Sequence, residues 1–377
     1  MNIGIVCYPT FGGSGAVATE LGKALANLGH KIHFISYNLP FKLNNFNENI
    51  AYHEVEWYEY PLFEYQPYES ALISKIVDVA LYETLDILHV HYAIPHASAA
   101  YMARQILKSK KIDLPYITTL HGTDITLVGK DPSFEPVIRF SLNNSNAITA
   151  VSKSLKKETL QTFKIDNQIE VIPNFIDIEK MMTIKQRNEC CLNQKKSGEK
   201  IIVHISNFRK VKRVEDVVKT FAIINKEVPC KLIMVGDGPE KSNIEKLIRD
   251  LHLQQYVLLT GRITEPMDIL ASSDLFLLPS ETESFGLAAL EAMAMGVPVI
   301  SSNVGGIAEV NIHGKTGFTH NVGYVQEMAE SAIRLLKDNS LLNQFKEQAL
   351  LQAKKFDTKQ ILPKYLNLYK KLIATKK

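Results

Sequence analysis

Short apolar runs alternate with segments long enough for helices along most of this chain. The apolar run at residues 3–8 is followed by helical periodicity over residues 16–28, and a second apolar run at residues 31–36 completes a strand-helix-strand unit. β-rich runs of similar length recur at residues 87–92, 116–120, 147–151 and 169–172. Strands that alternate with helices pair in parallel through right-handed crossovers, so this part predicts a doubly wound parallel sheet.

The same alternation begins afresh after a polar stretch at residues 180–200. Five strand candidates follow, at residues 201–206, 231–235, 257–260, 275–278 and 297–301. A chain of 377 residues also exceeds the size of one ordinary core. We therefore expect an α/β fold with two domains, joined within residues 173–198.

Composition and charge exclude several classes of protein. Lys and Arg total 43 against 40 Asp and Glu, and the net charge of +3 supplies no general field for nucleic acid. The longest apolar window, residues 286–300, is interrupted by Glu291 and is too short to span a membrane. The amino terminus has no basic segment before its apolar run, so we expect no signal peptide and a cytoplasmic location. Without C-x-x-C spacing, free thiols are expected at Cys7, Cys190, Cys191 and Cys230.

Residues 351–377 combine a basic face with an apolar one. They contain eight lysines and one acidic residue, and apolar side chains recur at helical spacing from Ile361 to Leu372. One interpretation is a helix on a membrane surface, and the other is a helix packed on the protein with its lysines in water. The apolar face is short and includes two tyrosines, which favours the packed helix.

Two glutamates eight residues apart mark the segment with the most specific chemistry. Within residues 279–300 a strand ends, a loop carries Glu283, a helix carries Glu291, and a new strand begins. An ionised carboxylate accepts well from vicinal hydroxyls, so Glu291 suits a ribose and Glu283 a second polyhydroxyl group. Unpaired amides at the start of the helix suit a phosphate, and they belong to Phe285, Gly286 and Leu287. The segment therefore predicts a site for a nucleoside diphosphate sugar.

A basic cluster directly follows the first strand of the second half. Its members are Arg209, Lys210, Lys212 and Arg213. Ligands of doubly wound sheets bind at such strand ends, and two cations beside a pyrophosphate stabilise the charge of a departing phosphate. A run of charges in solvent is the alternative.

A glycine-rich loop at residues 12–15 precedes the first predicted helix. Its amides can approach a ligand closely, although a tight turn explains the glycines equally well. The loop is not the G-x-G-x-x-G dinucleotide fingerprint, which argues against a dehydrogenase.

The chain lacks the carboxylate cluster of a metal-dependent transferase. No two aspartates are separated by a single residue, so an Asp-x-Asp element is missing. His89 and His91 lie on one face of a predicted strand with His96 nearby, which is compatible with zinc. Without an acidic or cysteine partner in the motif, packing or substrate polarity is the preferred explanation. We expect no metal and no cofactor.

Several segments together resemble the retaining glycosyltransferases of family 4 over essentially the whole chain. They are the E-x7-E element and residues 12–15, 120–124, 150–155, 172–177 and 206–213. The resemblance implies the GT-B architecture, with two facing Rossmann-like doubly wound parallel-sheet domains and a C-terminal crossover helix. The implied divisions are an acceptor-binding domain at 1–172, a UDP-sugar-binding domain at 173–355 and a helix at 356–377 that returns to the first domain.

The resemblance also implies a reaction. It is strongest to members of bacillithiol biosynthesis, which implies retaining transfer of N-acetylglucosamine from UDP-N-acetylglucosamine to L-malate without a metal. The alternatives are a lipid or polysaccharide acceptor at the membrane surface, and nucleotide-sugar binding without transfer. The expected partners are small-molecule substrates, with no nucleic acid and no stable membrane insertion, and the oligomeric state is left open, a homodimer included.

The functional positions of the family fall on matching residues of this chain. Catalytic roles are implied for His121, Arg209, Lys212 and Glu283, with Asp124 acting beside His121. Arg209 is assigned because Asn207 occupies the position of the usual family arginine. The implied donor site comprises Gly13, Ser14, Gly15, Asn207, Arg262, Phe285, Gly286, Leu287 and Glu291. The implied acceptor site comprises Tyr92, Thr119 and Arg139.

Overall fold

The chain divides into two compact units. The computed structural model describes residues 1–10, 12–43, 46–57, 67–127, 131–191 and 199–375. The first unit comprises Met1–Asn174 with Lys359–Lys377, and the second is Phe175–Thr358. The chain passes from the first unit to the second after Asn174, two residues beyond the implied boundary at 172. It returns to the first unit after Thr358, three residues beyond the implied boundary at 355.

The first unit is a parallel sheet of seven strands in the order β3-β2-β1-β4-β5-β6-β7. The strands are β1 Asn2–Val6, β2 Lys31–Ser36, β3 Ile50–Glu54, β4 Ile87–His91, β5 Tyr116–Leu120, β6 Ala147–Ala150 and β7 Ile169–Val171. The helices are α1 Gly13–Asn27, α2 Tyr68–Tyr82, α3 Ser98–Ser109, α4 Glu135–Asn143, α5 Lys153–Thr162 and, from the end of the chain, α14 Thr358–Ala374. Short helical turns follow β4 and β5, at Ala93–Ala97 and Thr123–Leu127.

The second unit is a parallel sheet of six strands in the order β10-β9-β8-β11-β12-β13. The strands are β8 Lys200–Ile205, β9 Cys230–Val235, β10 Val257–Gly261, β11 Leu275–Leu278, β12 Val299–Ser302 and β13 Gly317–His320. The helices are α6 Ile178–Cys191, α7 Val214–Ile224, α8 Lys241–Asp250, α9 Met267–Ala271, α10 Leu287–Ala294, α11 Ile307–Val310, α12 Val325–Lys337 and α13 Asn339–Ala353. Two such sheets confirm the predicted fold class.

Two strands, β3 and β13, lie outside the predicted set. β3 is an edge strand whose residues are half-buried or exposed, so its sequence Ile-Ala-Tyr-His-Glu has no apolar run. β13 has four residues, begins with a glycine and also lies at a sheet edge. Both strands lack a run of apolar residues, whereas the edge strands β7 and β10 are rich in Ile, Val and Leu and are predicted.

Helix α1 packs against β2 through Gly22, whose missing side chain leaves room for the ring of Phe34. A β-carbon at Gly22 would lie 2.3 Å from Cζ of the buried Phe34, so only glycine permits this approach. The contact sets how closely the middle of α1 packs on β2.

The basic C-terminal helix α14 packs on the first unit. Its buried face comprises Ile361, Leu362, Tyr365, Leu368 and Tyr369, while Lys364 and Lys370 are exposed. The hydroxyl of Tyr369 lies 2.7 Å from Nδ1 of His89 in β4. The structure therefore has the packed helix, with its lysines in water. No described helix is both long and apolar enough to cross a membrane.

Two of the four cysteines are buried free thiols. They are Cys7 and Cys230, as expected from the spacing. Desolvation raises the pKa of each thiol to about 12, so neither forms a reactive thiolate near neutral pH. The side chains of Cys190 and Cys191 lie outside the described residues.

We predict that Tyr369→Phe destabilises the first unit. The ring still fills its site, but the buried Nδ1 of His89 loses its partner, which costs about 1–3 kcal/mol of unfolding free energy. Chemical denaturation measures this loss, with the half-exposed Tyr324→Phe as the control. Equal stability of both variants and the parent would contradict the prediction.

Candidate functional site

Each sheet has one point at which its strand order reverses. In the first unit β1 lies beside β4, and in the second β8 lies beside β11. Following segments leave such a pair toward opposite faces, and this leaves an open crevice at the carboxyl ends of the strands. Most of the predicted site residues come directly after these four strands.

In the second unit the loop between β11 and α10 has the predicted form. Gly286 precedes α10 with a φ of 90°, and a β-carbon there would lie 2.4 Å from Cδ1 of Ile307. The position therefore needs glycine. Within the described residues, the amides of Phe285, Gly286 and Leu287 donate to no protein acceptor. The loop thus offers three adjacent NH groups at a helix start, the arrangement that suits a phosphate.

Two predicted catalytic residues meet beside this loop. Nζ of Lys212 lies 2.6 Å from Oε1 of Glu283, and the hydroxyl of Ser280 donates to the same oxygen at 2.8 Å. The main-chain oxygen of Glu283 also accepts from the amide of Gly306 at 2.8 Å. Glu283 is therefore held at both its side chain and its backbone, and it fixes the ammonium group of Lys212 at the end of β8.

The other basic residues after β8 have different surroundings. Nε of Arg213 lies 2.6 Å from Oδ2 of the buried Asp216, so this guanidinium is committed to the protein. Arg209 and Asn207 are exposed on either side of the buried Phe208. In the described part of the chain Arg209 forms no ion pair. The role that the resemblance implies for Arg209 stays a prediction.

A buried histidine that the sequence did not single out links the same two strands. In His204, Nδ1 lies 2.8 Å from the carbonyl oxygen of Leu277 and Nε2 lies 2.7 Å from the hydroxyl of Ser206. A carbonyl only accepts, so Nδ1 carries the proton and Nε2 accepts from the serine. Desolvation lowers the pKa of His204 to about 4, which keeps the ring neutral. His204 therefore ties β8 to β11 just before their ends.

Two further donor-site candidates belong to the second unit. One follows the edge strand β10, and the other lies in helix α10. Arg262 follows β10, is 62% exposed in its side chain, and has Nε 3.8 Å from Oδ2 of Asp237. Such an exposed pair is weak and easily exchanged for a ligand. Glu291 is half-buried in α10, just over one helical turn after Leu287, the last of the three loop amides.

In the first unit the switch point brings together residues from two predicted groups. The hydroxyl of Ser14, from the glycine-rich loop, lies 2.6 Å from that of Tyr92, which follows β4. Gly15 is required here, because a β-carbon would lie 2.6 Å from the carbonyl oxygen of Thr10 and 2.7 Å from that of Tyr8. Gly13 is the first residue of α1. A predicted donor residue and a predicted acceptor residue are thus direct neighbours.

His121 lies at the end of β5 within a line of stacked histidines. Its Nε2 is 2.7 Å from Nδ1 of His91, and the ring of His91 stacks on that of His89 with centroids 4.5 Å apart. Desolvation lowers the pKa of His121 to about 3, so its ring is neutral at neutral pH. Between two neutral rings, one of these nitrogens donates and the other accepts. The tautomer of one ring therefore determines that of the other.

Asp124 is buried beside His121 and bonded to the backbone. Its carboxylate accepts from the amide of Ala93 at 2.8 Å and from that of Gly122 at 3.2 Å. Desolvation raises the pKa of Asp124 to about 6, although these hydrogen bonds oppose the shift. The residue therefore joins the turns that follow β4 and β5.

Thr119 lies behind this surface. The residue is fully buried, and its hydroxyl lies 2.6 Å from Nε2 of His89 and 2.6 Å from the hydroxyl of Thr149. At this position Thr119 holds His89 in the line of histidines and does not face an acceptor directly. Arg139 has the opposite setting, because it is exposed on α4 and pairs with Glu135 at 3.5 Å. Helix α4 packs against the turn Ala93–Ala97, which follows Tyr92.

The zinc interpretation of the three histidines finds no support in the described residues. His89, His91 and His96 each bond to protein groups, and His96 joins the carbonyl oxygen of His91 to the hydroxyl of Tyr68. The described residues contain a cluster with metal-ligand spacing elsewhere, and it includes none of these three. Nε2 of His91 is buried without a partner.

Comparisons with known proteins cover both units. Residues 11–180 match the model described as Glycosyltransferase Family 4, and residues 192–352 match that described as Glycosyl transferases group 1. The chain is 49% identical over 374 residues to N-acetyl-alpha-D-glucosaminyl L-malate synthase of Bacillus anthracis, covering 98% of this chain and 96% of that relative. The chain belongs to glycosyltransferase family 4. This confirms the family that the sequence motifs indicate.

Solved structures confirm the fold of this family 4 glycosyltransferase. A sucrose-phosphate synthase from Thermosynechococcus elongatus matches with a TM-score of 0.82 at 19% identity, covering 99% of each chain. Anabaena HepE in complex with UDP and glucose matches with a TM-score of 0.80 at 19% identity, covering 98% of this chain and 99% of the other. With two parallel-sheet units, the chain has the GT-B architecture.

We predict that Asp124 gives the stability of the glycosyltransferase a distinct pH dependence. The folded-state pKa of about 6 lies above the ordinary aspartate pKa of 3.8, so the folded state holds the proton more tightly. The resulting stabilisation is present below about pH 4 and is lost as the pH rises to about 6, a change of about 3 kcal/mol.

Urea unfolding from pH 4 to pH 7 tests this dependence. The unfolding free energy of the wild type should fall across this range relative to that of Asp124→Asn, which has no ionisable group there. The exposed Asp250→Asn serves as the control and should follow the wild type. Parallel curves for wild type and Asp124→Asn would refute the assignment.

Proposed function

We propose that this glycosyltransferase transfers N-acetylglucosamine from UDP-N-acetylglucosamine to the hydroxyl group of L-malate, the first step of bacillithiol biosynthesis. The observation that carries the proposal is the 49% identity to a synthase of that name over 98% of this chain. The similarity includes both units, and therefore both substrate sites implied by the family.

The second unit is proposed to bind the donor. The three adjacent amides of Phe285, Gly286 and Leu287 suit the diphosphate, because NH groups at a helix start attract anions. Glu291 suits the vicinal hydroxyls of the ribose, and Arg209 is an exposed cation at the end of β8. This set supplies positive charge and hydrogen-bond donors without a divalent ion.

The Lys212 and Glu283 pair is proposed to stabilise the leaving group. Charge accumulates on the β-phosphate as the bond between it and the sugar breaks, and an ammonium group fixed in place stabilises that charge without reorganisation. Glu283, bonded to Lys212 at 2.6 Å, holds the ammonium at the end of β8. Glu283 also has a second carboxylate oxygen for a sugar hydroxyl.

The proposed reaction retains the configuration at the anomeric carbon. The bond from C1 to the β-phosphate oxygen breaks, and the bond from the malate hydroxyl oxygen to C1 forms on the same face. The hydroxyl proton moves to the departing phosphate oxygen, so UDP leaves protonated and no enzyme-bound intermediate forms. The protein contributes positioning and neutralisation of charge.

The first unit is proposed to bind malate. Two carboxylates need a guanidinium and several hydroxyl or amide donors, and Arg139 with the Ser14 and Tyr92 hydroxyls offers them. His121, neutral beside His91, suits a sugar or malate hydroxyl rather than a carboxylate. The substrates are small and water-soluble, so we propose a cytoplasmic reaction that needs no membrane. A homodimer is compatible with it.

Measurement of UDP release tests the function. The full-length chain with UDP-N-acetylglucosamine is offered L-malate, other hydroxy acids, sugars, and lipid or polysaccharide acceptors, with and without EDTA. We expect the highest kcat/KM with L-malate, an α-linked product by mass and NMR, and no effect of EDTA. Turnover only with a lipid or polysaccharide would replace the acceptor, and donor binding without UDP release would remove the enzymatic function.

We predict that Lys212→Met lowers kcat by about 10²–10³-fold while the protein remains folded. The loss follows because the charge of the leaving phosphate then lacks its fixed ammonium. Steady-state kinetics with the matched variant Lys226→Met, an exposed lysine after α7 and outside the basic cluster, provides the control. Similar kcat values for both variants would remove Lys212 from the proposed mechanism.

A further inference from the structure

Two histidines on neighbouring strands of the first unit lie together away from the switch point. β2 and β3 are parallel, and the register places His33 opposite Ala51 and Ile35 opposite His53. Residues 51 and 53 lie on the same face of β3, so His33 and His53 are diagonal neighbours on one face of the sheet. Nδ1 of His33 lies 3.0 Å from Nε2 of His53.

A carboxylate completes the group. Glu83 directly follows α2, and its ligand oxygen and the two imidazole nitrogens all lie within 4.8 Å of one another. The side chain of Asn2 donates to the carbonyl oxygen of Glu83 at 3.0 Å, which fixes the backbone there. The side chain of Glu83 is partly exposed, so it has room to move toward the histidines.

We propose that His33, His53 and Glu83 form a binding site for a divalent transition-metal ion such as Zn²⁺. Two imidazole nitrogens and one carboxylate are a common ligand set for zinc, with water in the fourth position. Tetrahedral ligands with bonds of about 2.0–2.1 Å lie about 3.3 Å apart. The two nitrogens, 3.0 Å apart, are already near that separation, and the Glu83 oxygen lies within 4.8 Å of both, so binding requires a movement of its side chain.

The electrostatic surroundings are compatible with a cation. Burial is the largest cause that lowers the pKa of both His33 and His53, so both rings are neutral and can bind a metal at neutral pH. Lys31 acts on His33 and Lys75 on His53, while the carboxylate of Asp78 also acts on His53. Glu83 and Asp78 together offset the two lysines.

The bound ion would strengthen the edge of the sheet and take no part in transfer. β3 is the edge strand, and β2 separates it from β1 at the switch point. A metal held by β2, β3 and the end of α2 would link three elements that are distant in sequence. This site is therefore separate from the metal-free chemistry proposed for the transfer and stands whether or not the acceptor is L-malate.

Calorimetric titration of the EDTA-stripped, full-length chain with Zn²⁺ tests the site. We expect one tight equivalent for the wild type, at least tenfold weaker binding for His53→Gln, and a smaller loss for Glu83→Gln. The melting temperature of the wild type should rise by several degrees with Zn²⁺, because the ion binds the folded state. The control His252→Asn removes an exposed histidine outside the cluster, at a left-handed backbone position that asparagine tolerates.

Several outcomes would overturn the proposal. One is the absence of a stoichiometric site in the wild type. Another is unchanged affinity in both His53→Gln and Glu83→Gln, which would assign the binding to other histidines. Because Glu83 is partly exposed and forms no part of the core, its variant keeps the test valid even if His53→Gln folds poorly. A loss of UDP release on metal removal would contradict the separation of this site from the transfer.

Discussion

The reversal of strand order in each sheet determines where this protein can bind its ligands. At β1 and β4, and again at β8 and β11, the chain leaves two neighbouring parallel strands toward opposite faces. This reversal leaves a crevice at the carboxyl ends of the strands, where backbone amides and polar side chains can meet a ligand. Ser14 and Tyr92 meet at the first point, and Lys212 and Glu283 at the second.

The two units handle charge in different ways. The second unit has fixed charges at its switch point, with the ammonium of Lys212 held by Glu283 and the exposed guanidinium of Arg209 nearby. The first unit has neutral imidazoles, because burial keeps His121 and the histidines behind it unprotonated, and its proposed cation is the exposed guanidinium of Arg139. This division suits a reaction in which one substrate carries a diphosphate and the other is activated through a hydroxyl group.

The sequence predicts well what depends on neighbours along the chain. The E-x7-E segment lies within one loop and one helix, so its pattern predicts the loop and the start of α10 beside Gly286. Central strands are predicted because burial on both faces makes them apolar. The strands β3 and β13 are missed because their sequences contain no apolar run, whereas the edge strands β7 and β10 contain one and are predicted.

Contacts between distant residues could not be predicted in the same way. His89 bonds Tyr369 across 280 residues, and Ser14 bonds Tyr92 across 78. A histidine in an apolar strand carries no information about its partner, so the bond of His204 to Leu277 and the pair of His33 with His53 emerge only from the folded chain. Thr119 is a different case. Its motif places it in the implied acceptor site, but its buried hydroxyl bonds His89 and supports the line of histidines.

The central claim is that fixed cations and peptide NH groups, without a divalent ion, bind the diphosphate. A crystal structure of the full-length chain with UDP, grown in the presence of EDTA, tests it most directly. The account predicts the diphosphate within hydrogen-bond distance of the amides of Gly286 and Leu287, with Nζ of Lys212 beside the β-phosphate. A diphosphate bound elsewhere, or one that binds only with an added divalent ion, would contradict it.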